Sequence, residues 1–144
     1  MDQLGAIREN IEKEPYVQLL GIKVIGLEPG YSKVAMKAER KLDNIFSITH
    51  GGAIFSLIDV AFGAAANSYG KVAVALSMSI NYVAPSAEGD MITATASKLA
   101  QTAKTANYQI IAKNGKGQKI AICQAVAYLK NQRLPFLEDH EDIT

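Results

Sequence analysis

The sequence predicts an α+β domain, with an antiparallel sheet closed around one long buried helix. Three observations carry that expectation. The run that follows Gly51-Gly52 is apolar on every face of a helical wheel, as a buried helix is. Residues 72–82 place large apolar side chains at even positions and small or polar ones at odd positions, the period of a strand. The rest of the second half divides into further strand-like segments separated by turn residues, which segregates helix from sheet. A chain of 144 residues, 49% hydrophobic and 20% charged, fits one globular domain spanning 1–144.

The elements follow in order. Leu4, Ile7 and Ile11 form one stripe of an amphipathic helix that Pro15 stops, and Tyr16 to Leu20 continues it as a short apolar stretch, so 1–20 reads as a helical segment. Residues 22–27 and 31–38 read as two strands of a hairpin, joined by Glu28-Pro29-Gly30, where Pro presets φ and Gly accepts a positive φ. A polar stretch, 39–50, leads to the buried helix. Its small residues Ala61, Gly63, Ala64, Ala65 and Ala66 permit close approach of a sheet. Strands are expected at 72–82, 91–99, 105–113 and 118–130, broken by Pro85, Gly89 and the hairpin turn Asn114-Gly115-Lys116-Gly117. On the last strand Ile120, Ile122, Val126 and Tyr128 share one face and Cys123 lies on the other, among small residues. The polar tail, 131–144, is expected to fray.

Composition excludes several classes of function. Net charge is +1, which gives no global attraction to nucleic acid or an anionic membrane. The single cysteine, Cys123, allows no intrachain disulfide, and the start carries acids where a signal peptide carries bases, so a cytoplasmic setting is expected. The most apolar stretch, 51–66, contains Asp59 and is short of the roughly 20 residues of a membrane span. His50 and His140 do not have metal-ligand spacing, so no metal is expected. With no Trp, six Tyr and four Phe, a small alanine-rich chain cannot readily both fill a core and hollow out a deep pocket. Either the site is shallow or a second chain helps to build it.

Asp59 is the sharpest chemical feature, the only charge in a helix that reads as buried. A lone carboxylate there is costly unless paired, hydrogen-bonded or protonated, and such groups are often functional. The alternative is a helix kinked to solvent, or a backbone partner for the carboxylate. His50-Gly51-Gly52 stands at the start of the same helix, where unpaired N–H groups suit a carbonyl oxygen or developing oxyanion. The plain alternative is a glycine turn with His50 as its cap. Asp59 lies nine residues beyond His50, about 13 Å along a helix. One helix cannot bring both to one small substrate, whereas a second copy about a two-fold axis can. Between Asp90 and Glu138 there is no acid but several lysines, either a phosphate-binding rim or ordinary solvated strand edges.

Asn44, His50-Gly51-Gly52, Phe55 through Asp59 to Phe62, Asn67-Ser68, the Leu20-Gly21-Ile22 lead-in and Asn81 to Pro85 together resemble the hotdog-fold acyl-CoA thioesterases of the phenylacetate-degradation (PaaI-type) group. The resemblance runs from about Tyr16 to Leu129. It implies a hotdog fold, a dimer with shared active sites and a dimer-of-dimers tetramer. It also implies hydrolysis of an aromatic or medium-chain acyl-CoA, with coenzyme A as part of the substrate and no separate cofactor. Residue by residue, Asp59 takes the place of the catalytic carboxylate, as general base or nucleophile. Gly51 becomes the backbone donor to the thioester carbonyl, Asn44 the residue orienting water or thioester, and His50 the loop anchor near the leaving thiolate.

Some relatives carry a Ser or Thr in the third strand. Ala75 aligns there, with Ser77 two residues on and read as lying on the same face. Gly52, Tyr82, Val83, Pro85, Ser86, Thr102 and Lys104 are implied to contact the rest of the substrate. A non-catalytic acyl-CoA-binding module and an enoyl-CoA hydratase or dehydratase are the rival readings.

Overall fold

The computed structural model describes residues 2–138. Helix α1 (Gln3–Glu12) is capped by Asp2, whose Oδ1 accepts from the Gly5 N–H at 2.8 Å. Pro15 does more than end it. It is the first residue of α2 (Pro15–Leu20), where a missing N–H costs nothing and the fixed φ suits the helix. Gly21, at φ +70°, turns the chain out of α2 toward the sheet.

Among the described residues six strands form one antiparallel sheet: β1 (Lys23–Glu28), β2 (Tyr31–Lys37), β3 (Lys71–Tyr82), β4 (Met91–Gln101), β5 (Thr105–Lys113) and β6 (Lys119–Arg133). Their spatial order is β1-β2-β4-β5-β6-β3. The chain therefore leaves β2, passes through helix α3 (Gly51–Ala66), and enters the sheet again at the opposite edge as β3. One long helix laid against an antiparallel sheet is the α+β hotdog arrangement expected.

Helix α3 is not enclosed on all sides. Ile54, Leu57, Ile58, Ala61, Phe62 and Ala65 are at most 3% exposed and form the face that meets the sheet. The sheet answers with small side chains. Ala94, Ala96, Ala112, Ala121, Cys123 and Ala127 are fully buried, which lets the helix approach closely. Ser32 donates its hydroxyl to the Ala61 carbonyl across this seam. The opposite stripe, Gly52, Phe55, Asp59 and Gly63, follows the helical three-to-four spacing and is left open or half-buried.

On β6 the small face, not the larger one, points inward. Ile122 and Tyr128 are 36% and 37% exposed on the outer side. The alternation of β3 is likewise broken. A bulge at Leu76 lies between the pairs Ala75↔Ala127 and Ser77↔Val126. Before it, Ala73 and Ala75 share the inner face with Ala127 and Leu129; beyond it, Met78, Ile80 and Tyr82 do so with Ala125, Cys123 and Ala121. One extra residue reverses the facing of every later side chain. Ser77 is therefore on the opposite face from Ala75, contrary to the sequence reading.

The C-terminal expectation also needs correction. Residues 131–133 continue β6, and α4 (Pro135–Glu138) follows. Leu134 and Leu137 are buried with Ala6 and Ile7 in a small second core, and the Leu134 N–H bonds the Gly70 carbonyl at 2.9 Å. Apolar residues at 134 and 137 hold the segment against α1. The remainder of the tail, 139–144, with His140, lies outside the described residues.

Candidate active site

The start of α3 is built from backbone donors and one imidazole. His50 is the N-cap. Its Nδ1 accepts from the Gly52 N–H at 2.8 Å, and its carbonyl accepts from Ala53 and Ile54. That leaves the Gly51 N–H as the first-turn donor with no acceptor among the described residues. Because His50 Nδ1 accepts, the neutral ring carries its proton on Nε2. The loop before it is shaped by Asn44, whose Oδ1 accepts from the N–H groups of Phe46 at 2.9 Å and Ile48 at 3.4 Å. Ser47 at the turn holds a φ of +59°. Asn44 Nδ2 is left as a donor. The fold brings Asn44, Gly51, Tyr82, Val83 and Pro85 to one open cleft of about 380 Å³.

Asp59 lies elsewhere. It lines a second pocket, of about 710 Å³, with Glu14, Tyr16, Phe55, Ser56 and Val60. Asp59 is exposed at the mouth of this pocket in the single chain, rather than sealed in as the sequence suggested. The apolar groups around the carboxylate still withhold part of its hydration and raise its pKa. No hydrogen bond or ion pair engages it among the described residues. Eight residues separate Asp59 from Gly51, about 12 Å along the helix, so one chain holds them in two different pockets.

Two residues the sequence reading did not single out stand beside Asp59. Glu14 is the N-cap of α2 but makes no side-chain cap bond. Tyr16, one residue beyond Pro15, has its hydroxyl 2.7 Å from Ser56 Oγ. Ser56 donates to the Gly52 carbonyl at 2.8 Å, so Tyr16 is the donor to Ser56. This chain ties α2 to the first turn of α3. The available signal was Pro15, which starts a helix as readily as it ends one and places its neighbours at a sharp corner.

The other expected substrate contacts divide. Gly52 is exposed, but its N–H is engaged by His50. Ser86 is buried, donates to Asp90 Oδ2 at 3.1 Å and accepts the Thr49 N–H through its carbonyl, which are structural roles. Ser77 lies with Ser79, Asn107 and Gln124 around a hollow of about 160 Å³ on the outer sheet face. Thr102 bonds Thr105 within the β4–β5 hairpin. Lys104 lines a basic cleft of about 690 Å³ with Lys71 and Lys130. That cleft is at the Lys71 end of β3 and the Tyr82 cleft is at the other, so a single chain does not unite them. Among the described residues no group of three His, Cys, Asp or Glu could hold a metal ion, and no helix is long and apolar enough to cross a membrane.

Residues 46–121 match the family described as the thioesterase superfamily. Acyl-coenzyme A thioesterase PaaI of Escherichia coli is 35% identical over 77% of this chain and 79% of its own length. A solved structure of the E. coli PaaI protein, from the phenylacetic acid degradation operon, superposes with a TM-score of 0.87 at 30% identity, covering 91% of this chain and 96% of that one. A candidate esterase of Archaeoglobus fulgidus is 36% identical over 82% of this chain and 77% of its own. The smu.793 protein of Streptococcus mutans, solved bound to acetyl CoA, has a TM-score of 0.75 at 26% identity, covering 78% and 91%.

Proposed function

Since the chain belongs to the thioesterase superfamily, as a hotdog thioester hydrolase of the PaaI type, we propose that it hydrolyses aromatic or medium-chain acyl-CoA thioesters at sites shared between two copies. The observation that carries this reading is the separation of Gly51 and Asp59 into two open clefts on one helix. Each chain offers half of the chemistry twice over, and a two-fold partner can bring the other half. The edge strand β3 supports the pairing. Its outer side is unpaired among the described residues, and Val74 and Leu76 stand 41% and 59% exposed along it. An antiparallel β3–β3 contact would also bring the Tyr82 cleft of one chain toward the basic Lys71–Lys104 cleft of the other.

In the shared site the Gly51 N–H receives the thioester carbonyl oxygen. Asp59 from the other chain takes a proton from water as that water attacks the carbonyl carbon. The tetrahedral oxyanion forms against Gly51, where a fixed donor is worth most. Collapse breaks the C–S bond, the thiolate leaves toward His50 Nε2–H, and the proton held by Asp59 passes through solvent to the thiolate, which returns Asp59 to its ionised form. The products are the free acid and coenzyme A thiol. The raised pKa of Asp59 suits the base role, because a more basic carboxylate accepts a proton more readily, and it suits direct attack on the thioester for the same reason. Asn44 Nδ2 orients the thioester from the loop. Lysines of the basic cleft meet the phosphates of the coenzyme.

A thiol-release assay across aromatic, short and medium acyl-CoAs, run on wild type and Asp59→Asn, tests this proposal. Release that depends on Asp59 is expected. Wild-type turnover in Asp59→Asn overturns the role of Asp59. Acyl-CoA binding without thiol release favours a binding module. Hydration of an enoyl-CoA favours a hydratase.

A further inference from the structure

We propose that Glu14 is a positioning residue for this reaction, acting through Asp59 from the corner between α1 and α2. The inference rests on the reading that Asp59 is the reacting carboxylate. Three observations on Glu14 support it. Both carboxylates line the same pocket of about 710 Å³. Neither has a hydrogen-bonding or cationic side-chain partner among the described residues, although Glu14 sits where an N-cap would normally bond its own helix. Pro15 locks the corner, and the Tyr16–Ser56–Gly52 hydrogen-bond chain fixes α2 onto α3, so the distance between the two acids is set by the fold and not by a loose loop.

Among the described residues of one chain, the groups around the pair leave its charge uncompensated. Tyr16 faces it from α2, Asn10 from α1 and Ser56 from α3, and no described Lys, Arg or His lines the pocket. Asn10 is turned to its own helix, donating to the Ala6 carbonyl at 2.9 Å. Cys123 on β6 also senses the site: burial raises its thiol pKa, and Asp59 adds to that rise. Burial raises the Glu14 pKa too, and the Asp59 charge raises it further. The rise at Asp59 itself comes from burial; because repulsion between two ionised carboxylates is mutual, a charge on Glu14 also opposes ionisation of Asp59, and Glu14 acts through that coupling. A general base gains from that. Glu14 thereby keeps Asp59 poised as the base for the attacking water.

The test uses the full chain with Glu14→Gln, Glu14→Asp and Asp59→Asn. Glu14→Gln keeps the size and every main-chain bond of the exposed corner. Its acidic limb of kcat/KM is expected to move to lower pH by about 0.3 unit or more, with Glu14→Asp restoring the wild-type limb. Independently of turnover, carboxyl carbon NMR should show the Glu14 titration midpoint falling in Asp59→Asn. An unmoved acidic limb in Glu14→Gln overturns the proposal, and so does an unmoved Glu14 midpoint in Asp59→Asn. Complete loss of turnover in a folded Glu14→Gln also overturns it, because Glu14 would then be a reacting group. Turnover lost in Asp59→Asn with an unmoved limb in Glu14→Gln removes the Glu14 role alone, while full turnover in Asp59→Asn removes both readings.

Discussion

Tyr82 donates its hydroxyl to the Gly51 carbonyl at 3.0 Å and lays its ring where a side chain on residue 51 would stand. A Cβ built on Gly51 meets Tyr82 ring and hydroxyl atoms at 3.3 to 3.5 Å. The residue that offers the free N–H is thus held by a strand at its carbonyl and kept bare by the same ring. Gly51 is the first residue of α3, and His50 before it has an extended ψ of 137°. Both conditions suit proline. Gly51→Pro should therefore keep the helix, displace Tyr82 by a few tenths of an ångström and delete the proposed oxyanion donor. The expected loss in kcat is about 100- to 1000-fold, with an unchanged circular dichroism spectrum. Wild-type kcat in Gly51→Pro would remove the backbone donor from the mechanism.

Asp59 should reveal a conflict between activity and stability. Its folded pKa is raised, so the folded state favours the protonated acid. Its contribution to stability is full below the unfolded pKa and is lost as pH rises through the folded value. At neutral pH the ionised form is the less stable one. Asp59→Asn is expected to raise Tm at pH 7 and to lower kcat by about 100-fold or more. In the wild type, kcat/KM should rise with pH through a midpoint above the ordinary aspartate value.

Shared sites predict rescue by mixing. Gly51→Pro and Asp59→Asn are each expected to be inactive. A dimer with one chain of each kind contains one site with both residues intact. Co-refolding equal amounts should restore about a quarter of wild-type activity, since half of the dimers are mixed and each has one working site of two. A solution mass of a monomer, or no rescue on mixing, would refute the shared site.

The basic cleft predicts a split between binding and chemistry. Lys104→Glu should raise KM for acyl-CoA several-fold, with little change in kcat. The effect should shrink in high salt, as exposed charge contacts do. A substrate truncated to the pantetheine thioester should not distinguish Lys104→Glu from wild type. Equal KM values for the full acyl-CoA would place the phosphates elsewhere.

The seam between helix and sheet is sensitive to volume. Ala61 is fully buried, and its carbonyl receives the Ser32 hydroxyl. Ala61→Leu should destabilise the fold by about 1–3 kcal/mol, read as a lower urea midpoint with an unchanged slope. An unshifted midpoint would mean that the seam is looser than its burial implies.

Much of this was legible in the residues. The apolar run after Gly51-Gly52 marked α3, and turn residues such as Asn114-Gly115 marked the hairpins, because these signals are local. The helical spacing of His50, Gly51 and Asp59 already placed the two halves of the proposed site too far apart for one chain. The Leu76 bulge was not legible, because one extra residue in a strand leaves the sequence alternation intact while reversing which face it occupies. Nor was the exposure of Asp59, since an all-apolar helix does not show which stripe the sheet leaves uncovered.

The sequence by itself determined the element types and the alanine-lined seam, and it named the groups proposed for the chemistry. Each depends on a residue's own shape and on neighbours within a few positions. Only the tertiary structure decided that Tyr82 covers Gly51, that Glu14 and Tyr16 face Asp59, and that Ser77 looks away from the helix. Those relationships join segments 31 to 45 residues apart or hang on one strand's register, and packing, not local preference, fixes them.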